Sequence, residues 1–252
     1  MSSITIDKRY CGPPNSGNGG YVCGLLANQI GGDAEITLRA PPPLGQRLDL
    51  VAGADGALDL RRGETVLATG RPARIEVSQI PTASYAEAED AVRRTPFDEN
   101  SHTFPTCFVC GPARAPGDGL RIFAGPLSTC TGQKTGAFAA TWVADANLAG
   151  DDGGVAAEFI WAALDCPTGY AGLGALSIGP NRDQAILLGR MAARIDARPK
   201  PGDPCIVVAW PTGREGRKLF ASSALLRTDG EVLAVANATW LLIDRPVKTG
   251  QT

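Results

Sequence analysis

An acid inside an otherwise apolar helical stretch is the first residue here that asks for a chemical reason. In Trp161-Ala-Ala-Leu-Asp165-Cys-Pro-Thr-Gly-Tyr170 the carboxylate of Asp165 sits beside Ile160, Trp161 and Leu164. Asp is a poor helix former, a negative charge in a last turn opposes the helix dipole, and these neighbours imply partial burial. Pro167 is expected to disrupt the helix just beyond Asp165 and so aim the carboxylate. Asp165 therefore either serves chemistry or satisfies backbone donors at the helix end. A second element is Asn15-Ser-Gly-Asn18-Gly-Gly-Tyr21, which feeds directly into a helical stretch. Free amides at such a start form a positive nest for a developing oxyanion, here at Asn18, Gly19, Gly20 and Tyr21. The same glycines also suit close packing of helix on sheet.

Two further elements carry less. Cys107-Phe-Val-Cys110 has the spacing of a zinc knuckle or redox pair, but no second paired Cys/His element follows and Cys130 is the nearest further ligand. No metal and no cofactor is therefore expected; a redox or zinc scaffold on Cys107 and Cys110 stands as a third reading of the chain. The sole histidine, His102, lies in Asn-Ser-His-Thr-Phe-Pro, distant in sequence from both helical stretches, and reads as a surface loop residue. Serine- or cysteine-histidine nucleophile systems are disfavoured for that reason, and neither a GxSxG elbow nor a GxxxxGK[ST] loop occurs.

These residues need elements to position them. The first half opens with a strand at Ile4 to Asp7 and a glycine-rich turn, then a helix over Gly19 to Ile30 with Val22, Leu25, Leu26 and Ile30 at helical spacing, ended by Gly31-Gly32. Strands follow at Ala34 to Ala40, Arg47 to Ala52, Leu58 to Arg61 and Val66 to Val77. Residues 79–103 turn polar and read as a linker with a short surface helix, Ala83 to Arg93. The order then recurs: strands at Leu120 to Ala124 and Ala137 to Val143, a helix over Ala156 to Leu164, and strands at Ile186 to Ile195, Pro204 to Pro211, Leu219 to Arg227 and Val232 to Ile243. A lone helix on an antiparallel sheet leaves an open sheet edge, so two such halves gain by pairing.

Composition bounds the function. The 252 residues, 44% apolar and 20% charged, suit one large or two ordinary domains. A formal charge of -2 shows no basic field for nucleic acid or an anionic membrane surface. No basic n-region with an apolar core opens the chain and no apolar run is long enough to span a bilayer, so a cytoplasmic location is expected. Seven cysteines, several in apolar segments, argue against a disulfide framework.

In this pattern the chain resembles the hotdog fold, and its two-copy arrangement is similar to that of the double-hotdog acyl-CoA thioesterases of the acyl-CoA thioesterase II type. The resemblance implies an α+β class: two fused hotdog folds, each a central helix wrapped by an antiparallel β-sheet, with halves at 1–78 and 104–252 and the linker between. Leu164-Asp165 resembles the Leu-Asp-like pair whose carboxylate activates water or attacks the thioester. Asn18-Gly19-Gly20 resembles the His-Gly-Gly turn that holds the thioester carbonyl, with Asn18 in place of His. In the first half the acid position falls on Ala27 or Asn28, and in the second the turn falls on Ala157-Glu158. One composite site is then implied, with Gly19, Gly20 and Tyr21 opposite Asp165. Asn237 and Thr239 stand near the place of a water-orienting glutamine in that family, although outward-facing strand residues are the plainer reading.

The implied activity is hydrolysis of an acyl thioester, acyl-CoA above all. The alternative is an acyl or acyl-CoA binding protein of the same fold without turnover. Hydration and dehydration of acyl thioesters in this fold use a histidine paired with a carboxylate, and the lack of a helix-borne histidine speaks against them. A homodimer is compatible with the pairing of open edges; no nucleic-acid or membrane partner is expected.

Overall fold

The computed structural model describes residues 2–128, 136–175 and 184–244. Its first half runs β1 (Ser2–Thr5), α1 (Gly19–Ile30), β2 (Ala34–Leu38), β3 (Arg47–Ala52), β4 (Leu58–Arg62) and β5 (Thr65–Pro72). After α2 (Tyr85–Val92) come β6 (Gly125–Pro126), β7 (Phe138–Val143), α3 (Ala157–Gly174), β8 (Gln184–Ile195), β9 (Pro204–Glu215), β10 (Lys218–Arg227) and β11 (Val232–Asp244). All eleven strands form one antiparallel sheet, ordered β1-β3-β4-β5-β2-β8-β11-β10-β9-β7-β6. Outward from the β2–β8 seam the two halves repeat one order: β2-β5-β4-β3-β1 on one side, β8-β11-β10-β9-β7 on the other.

Local chemistry accounts for the elements. Asn18 caps α1, its Oδ1 accepting from the Tyr21 amide at 2.9 Å, and Gly31 ends the helix at φ 78° with its N–H bonded to Ala27 O. Strand residues alternate as a sheet packed against helices requires: Leu48 and Leu50 of β3 are buried while Arg47 is exposed. At the seam Ile36 faces Met191, both fully buried, and Arg190 donates to Thr37 Oγ1 at 3.2 Å.

Several expectations need correction. The second helix does not stop near Leu164: α3 continues through Pro167 to Gly174, and residues from Phe159 to Gly172 are buried. Proline removes the helical hydrogen bond to Ala163 O, while side chains from the sheet and from α3 itself bind the residues on either side of it. Ser223 Oγ donates to Leu164 O (2.9 Å), Thr168 Oγ1 donates to Asp165 O (2.6 Å), and Trp240 Nε1 donates to Thr168 Oγ1 (2.7 Å). Burial of the following turn outweighs the proline cost. Asp165 is thus mid-helix, and the opposition to the helix dipole at a last turn does not apply. No strand forms over Leu120 to Ala124, where Arg121 at φ 53° breaks the extended path. Leu120 and Ile122 still donate to Phe108 O and Val109 O, so the segment is fastened without a ladder.

The strand expected over Val66 to Val77 ends at Pro72, and the chain then crosses to the outer face of the second half. There Ile75, with Ala88 and Ala91 of α2, joins Ala192, Ile206, Val208 and Val235 in a second apolar cluster, and Arg194 donates to Ile75 O at 2.7 Å. The helix expected on the surface is in fact half sunk into the sheet. A fragment spanning residues 1–78 would lose the β8 partner of β2 and bare the α1 face that packs on α3. Urea unfolding followed by circular dichroism is expected to show no cooperative transition; a sigmoidal curve would show that the seam is dispensable.

Candidate active site

The two long helices lie antiparallel and closer than ordinary side chains permit. A Cβ at Gly24 would stand 2.5 Å from Glu158 Cα, and one at Gly20 would stand 2.4 Å from Asp165 Cβ. Glycine at these two positions lets α1 press its first turns onto α3. The close packing allowed for above is real: Gly19 packs on Leu188 and Leu38 of the sheet, and Gly20 packs helix against helix. It puts Asp165 against the start of α1, where its Oδ2 accepts from Asn18 Nδ2 at 2.9 Å and from the Gly20 amide at 3.1 Å. Asn18 thus bridges, capping α1 with one end of its amide and holding Asp165 with the other.

Asp165 is 1% exposed, and its Oδ1 has no hydrogen-bond partner among the described residues. Burial pushes its carboxyl up to about 7; the nearby Cys107 sulfur adds to the rise, against the Gly20 and Asn18 donors. The carboxylate forms part of the wall of a cavity of about 860 Å³. Asn18 and Gly19 also line it, together with the apolar side chains of Leu188 and Trp240. Among the described lining residues the charged side chains are Arg39, Asp98 and Asp165. An enclosure of this size and character suits one largely apolar organic ligand.

Asn18, Gly19, Gly20 and Asp165 therefore meet. Tyr21 does not join them at the cavity: its amide is taken by the Asn18 cap, and its ring stacks on Tyr10 with centroids 4.2 Å apart, beside Phe159 and Phe108. Asn237 and Thr239 are not placed to orient water. β11 turns Trp240 towards α3 and the cavity, so alternation puts Asn237 on the outer face, where it pairs with Ser222 Oγ (2.7 Å) and Glu76 O (3.4 Å). Thr239, two residues on, shares that face.

His102 is the residue that sequence reasoning misplaced. Residues 97–104 return from the outer face and line the cavity. His102 Nε2 lies 3.2 Å from the Tyr170 hydroxyl of α3, and Nδ1 accepts from the Phe104 amide at 3.0 Å. An accepting Nδ1 puts the proton of a neutral ring on Nε2, which then donates to Tyr170. Phe97, 5.0 Å from the Tyr170 ring, completes this wall. The aromatic run Phe97, His102, Phe104 was a usable signal, because a solvated linker rarely carries so many rings.

Cys166 was also missed. It lies next to Asp165, and its sulfur is 3.9 Å from that of Cys107. The sulfurs of Cys107, Cys110 and Cys166 all lie within 4.8 Å of one another, buried, at the cavity wall. Cys130, the third ligand considered from sequence, lies outside the described residues.

The fold has structural counterparts. No family model matches the sequence, and no curated protein matches it. Among solved structures, the tesB protein of Mycobacterium avium subs paratuberculosis superposes with a TM-score of 0.62 at 13% identity, over 96% of this chain and 92% of that one. A candidate thioesterase II from Thermobifida fusca gives 0.57 at 13% identity, over 96% and 91%. A hot dog fold protein of unknown function from Alicyclobacillus acidocaldarius gives 0.54 at 13% identity, over 97% and 93%. The chain thus has the hotdog fold, in a form that carries two helix-on-sheet units in one continuous sheet. Among the described residues, no helix is long and apolar enough to cross a membrane.

Proposed function

We propose that the cavity binds an acyl thioester and that Asp165 hydrolyses it by general-base activation of water. The observation that carries this reading is the divided environment of one buried carboxylate. Oδ2 is held by Asn18 and Gly20, while Oδ1 of the same residue, which lines the cavity, is buried and has no hydrogen-bond partner among the described residues. Water attacks the carbonyl carbon as its proton passes to Oδ1, the C–S bond breaks, and the departing thiolate recovers the proton, leaving an acid and a thiol. Helix α1 begins with Gly19 at the cavity, so the positive end of the helix, with the Gly19 amide at its start, is the group offered to the carbonyl oxygen as it gains charge. The Tyr21 amide, implied by the resemblance for this role, is closed by its cap, and Gly19 takes its place.

The thioester-bearing ligand is an acyl-CoA: Arg39 is the cation among the described lining residues that could meet a phosphate. The likeness to proteins whose names specify tesB and thioesterase II supports the same chemistry. Thiol release from a panel of acyl-CoAs, read with a thiol-reactive dye, is expected to be saturable for at least one chain type. A second reading, an acyl-CoA binder without turnover, is favoured by the pairing of both the Gly20 and Tyr21 amides within the protein. Tight acyl-CoA binding with no thiol released would establish that reading in place of the first.

A further inference from the structure

We infer that Cys107, Cys110 and Cys166 together hold one zinc ion at the wall of the cavity. The inference does not rest on thioester hydrolysis and would stand without it.

Three cysteines from two separate stretches of chain meet here. Cys107 and Cys110 come from a turn closed by the Gly111 amide on Cys107 O at 2.9 Å. That turn requires glycine at its end, since a Cβ at Gly111 would lie 2.4 Å from Cys107 O. Cys166 reaches the turn from the middle of α3, with its sulfur 3.9 Å from that of Cys107. Zinc–sulfur bonds of about 2.3 Å set tetrahedral sulfurs about 3.8 Å apart, so this pair already stands at ligand spacing. The cluster as a whole, within 4.8 Å, needs only a small closure around an ion.

A donor beside the cluster is aimed as a metal-bound thiolate requires. The Asn18 amide donates towards the Cys107 sulfur, with Nδ2 at 3.8 Å. A donor on a ligating sulfur offsets part of the negative charge that three thiolates leave on the ion. Borderline-soft zinc favours sulfur, and with three thiolates a water would complete a tetrahedral shell. The ion ties the Cys107–Gly111 turn to α3, which would hold Asn18 and Asp165 in place from the side opposite the Gly20 contact.

Protein purified under reducing conditions without chelators, from zinc-supplemented cells, is expected to contain about one zinc per chain by elemental analysis. Titration of its thiols with a mercurial should release that zinc as the cysteines react. Cys107→Ser and Cys166→Ser should each fall below roughly a tenth of an equivalent, while Cys11→Ser, outside the cluster, keeps the full complement. Should the serine variants not fold, the wild-type chain loaded with cobalt decides the matter. A sulfur-to-cobalt charge-transfer absorption with intense tetrahedral d–d bands is expected. The inference is overturned if wild-type protein carries no zinc and takes none up when titrated with the metal alone. A different metal in stoichiometric amount, a disulfide within the trio, or full zinc in Cys107→Ser would each overturn it as well.

Discussion

Asp165→Asn is expected to lower thioester hydrolysis by about two to four orders of magnitude while acyl-CoA binding persists. The amide keeps the size of the carboxylate, and its carbonyl oxygen can still accept from Asn18 Nδ2 and the Gly20 amide, so the α1–α3 contact survives. What is lost is the basic Oδ1, the atom without a partner in the resting protein. A residue acting as a base only in the transition state lowers kcat and kcat/KM together and leaves ground-state affinity alone. The change also removes a charge from a site 1% exposed, which offsets the cost of an unpaired amide N–H there. A circular dichroism melt should therefore stay close to wild type. Wild-type turnover on every accepted thioester would remove Asp165 from the mechanism and leave the cavity as a binding site.

Gly20→Ala is expected to act more broadly, lowering both stability and hydrolysis. The added methyl would stand 2.4 Å from Asp165 Cβ and 2.8 Å from Trp161 O, atoms on or next to the backbone of a buried helix and unable to swing aside. Overpacking of this kind costs typically about 1–3 kcal/mol. Alanine returns close to 1 kcal/mol as the better helix former, so only a steric penalty larger than that appears as a net loss. Forcing α1 off α3 also lengthens the Gly20 amide to Asp165 Oδ2 contact, which unties the carboxylate. Gly19→Ala provides a milder contrast, because its shortest contact, at 2.8 Å, is with the movable Leu188 Cδ2, and the fixed Leu188 Cβ lies at 3.0 Å, farther than the 2.4 Å to Asp165 Cβ at Gly20. The urea midpoint should drop clearly for Gly20→Ala and less for Gly19→Ala. Equal or raised midpoints in both would mean that the helices do not touch as described.

Periodicity carried α1, whose limits of Gly19 and Ile30 were readable because a cap and a glycine stop bracket a helical stripe. It also carried the long strands of both halves, since inward and outward positions alternate with period two. The same alternation, without register, could not by itself say which face of β11 meets the cavity; Asn237 and Thr239 lie on the outer face, as their plainer reading had it, and not in the water-orienting place that the resemblance offered. A proline rule misjudged α3, because the rule counts a lost hydrogen bond and cannot count the burial of the whole turn that follows, from Thr168 to Gly172.

By itself the sequence determined which groups are peculiar for their setting: an acid in an apolar helix, a capped glycine turn, and a Cys-x-x-Cys. Those are local properties, written within a few adjacent residues. Only the tertiary structure decided what each of them meets. Asp165 is 147 positions from Asn18, Cys166 is 59 from Cys107, and His102 is 68 from Tyr170. No short-range pattern encodes such meetings. They follow from how closely two helices approach and from where a linker re-enters the fold, and both are set by the packing of glycine faces and apolar clusters over the whole chain.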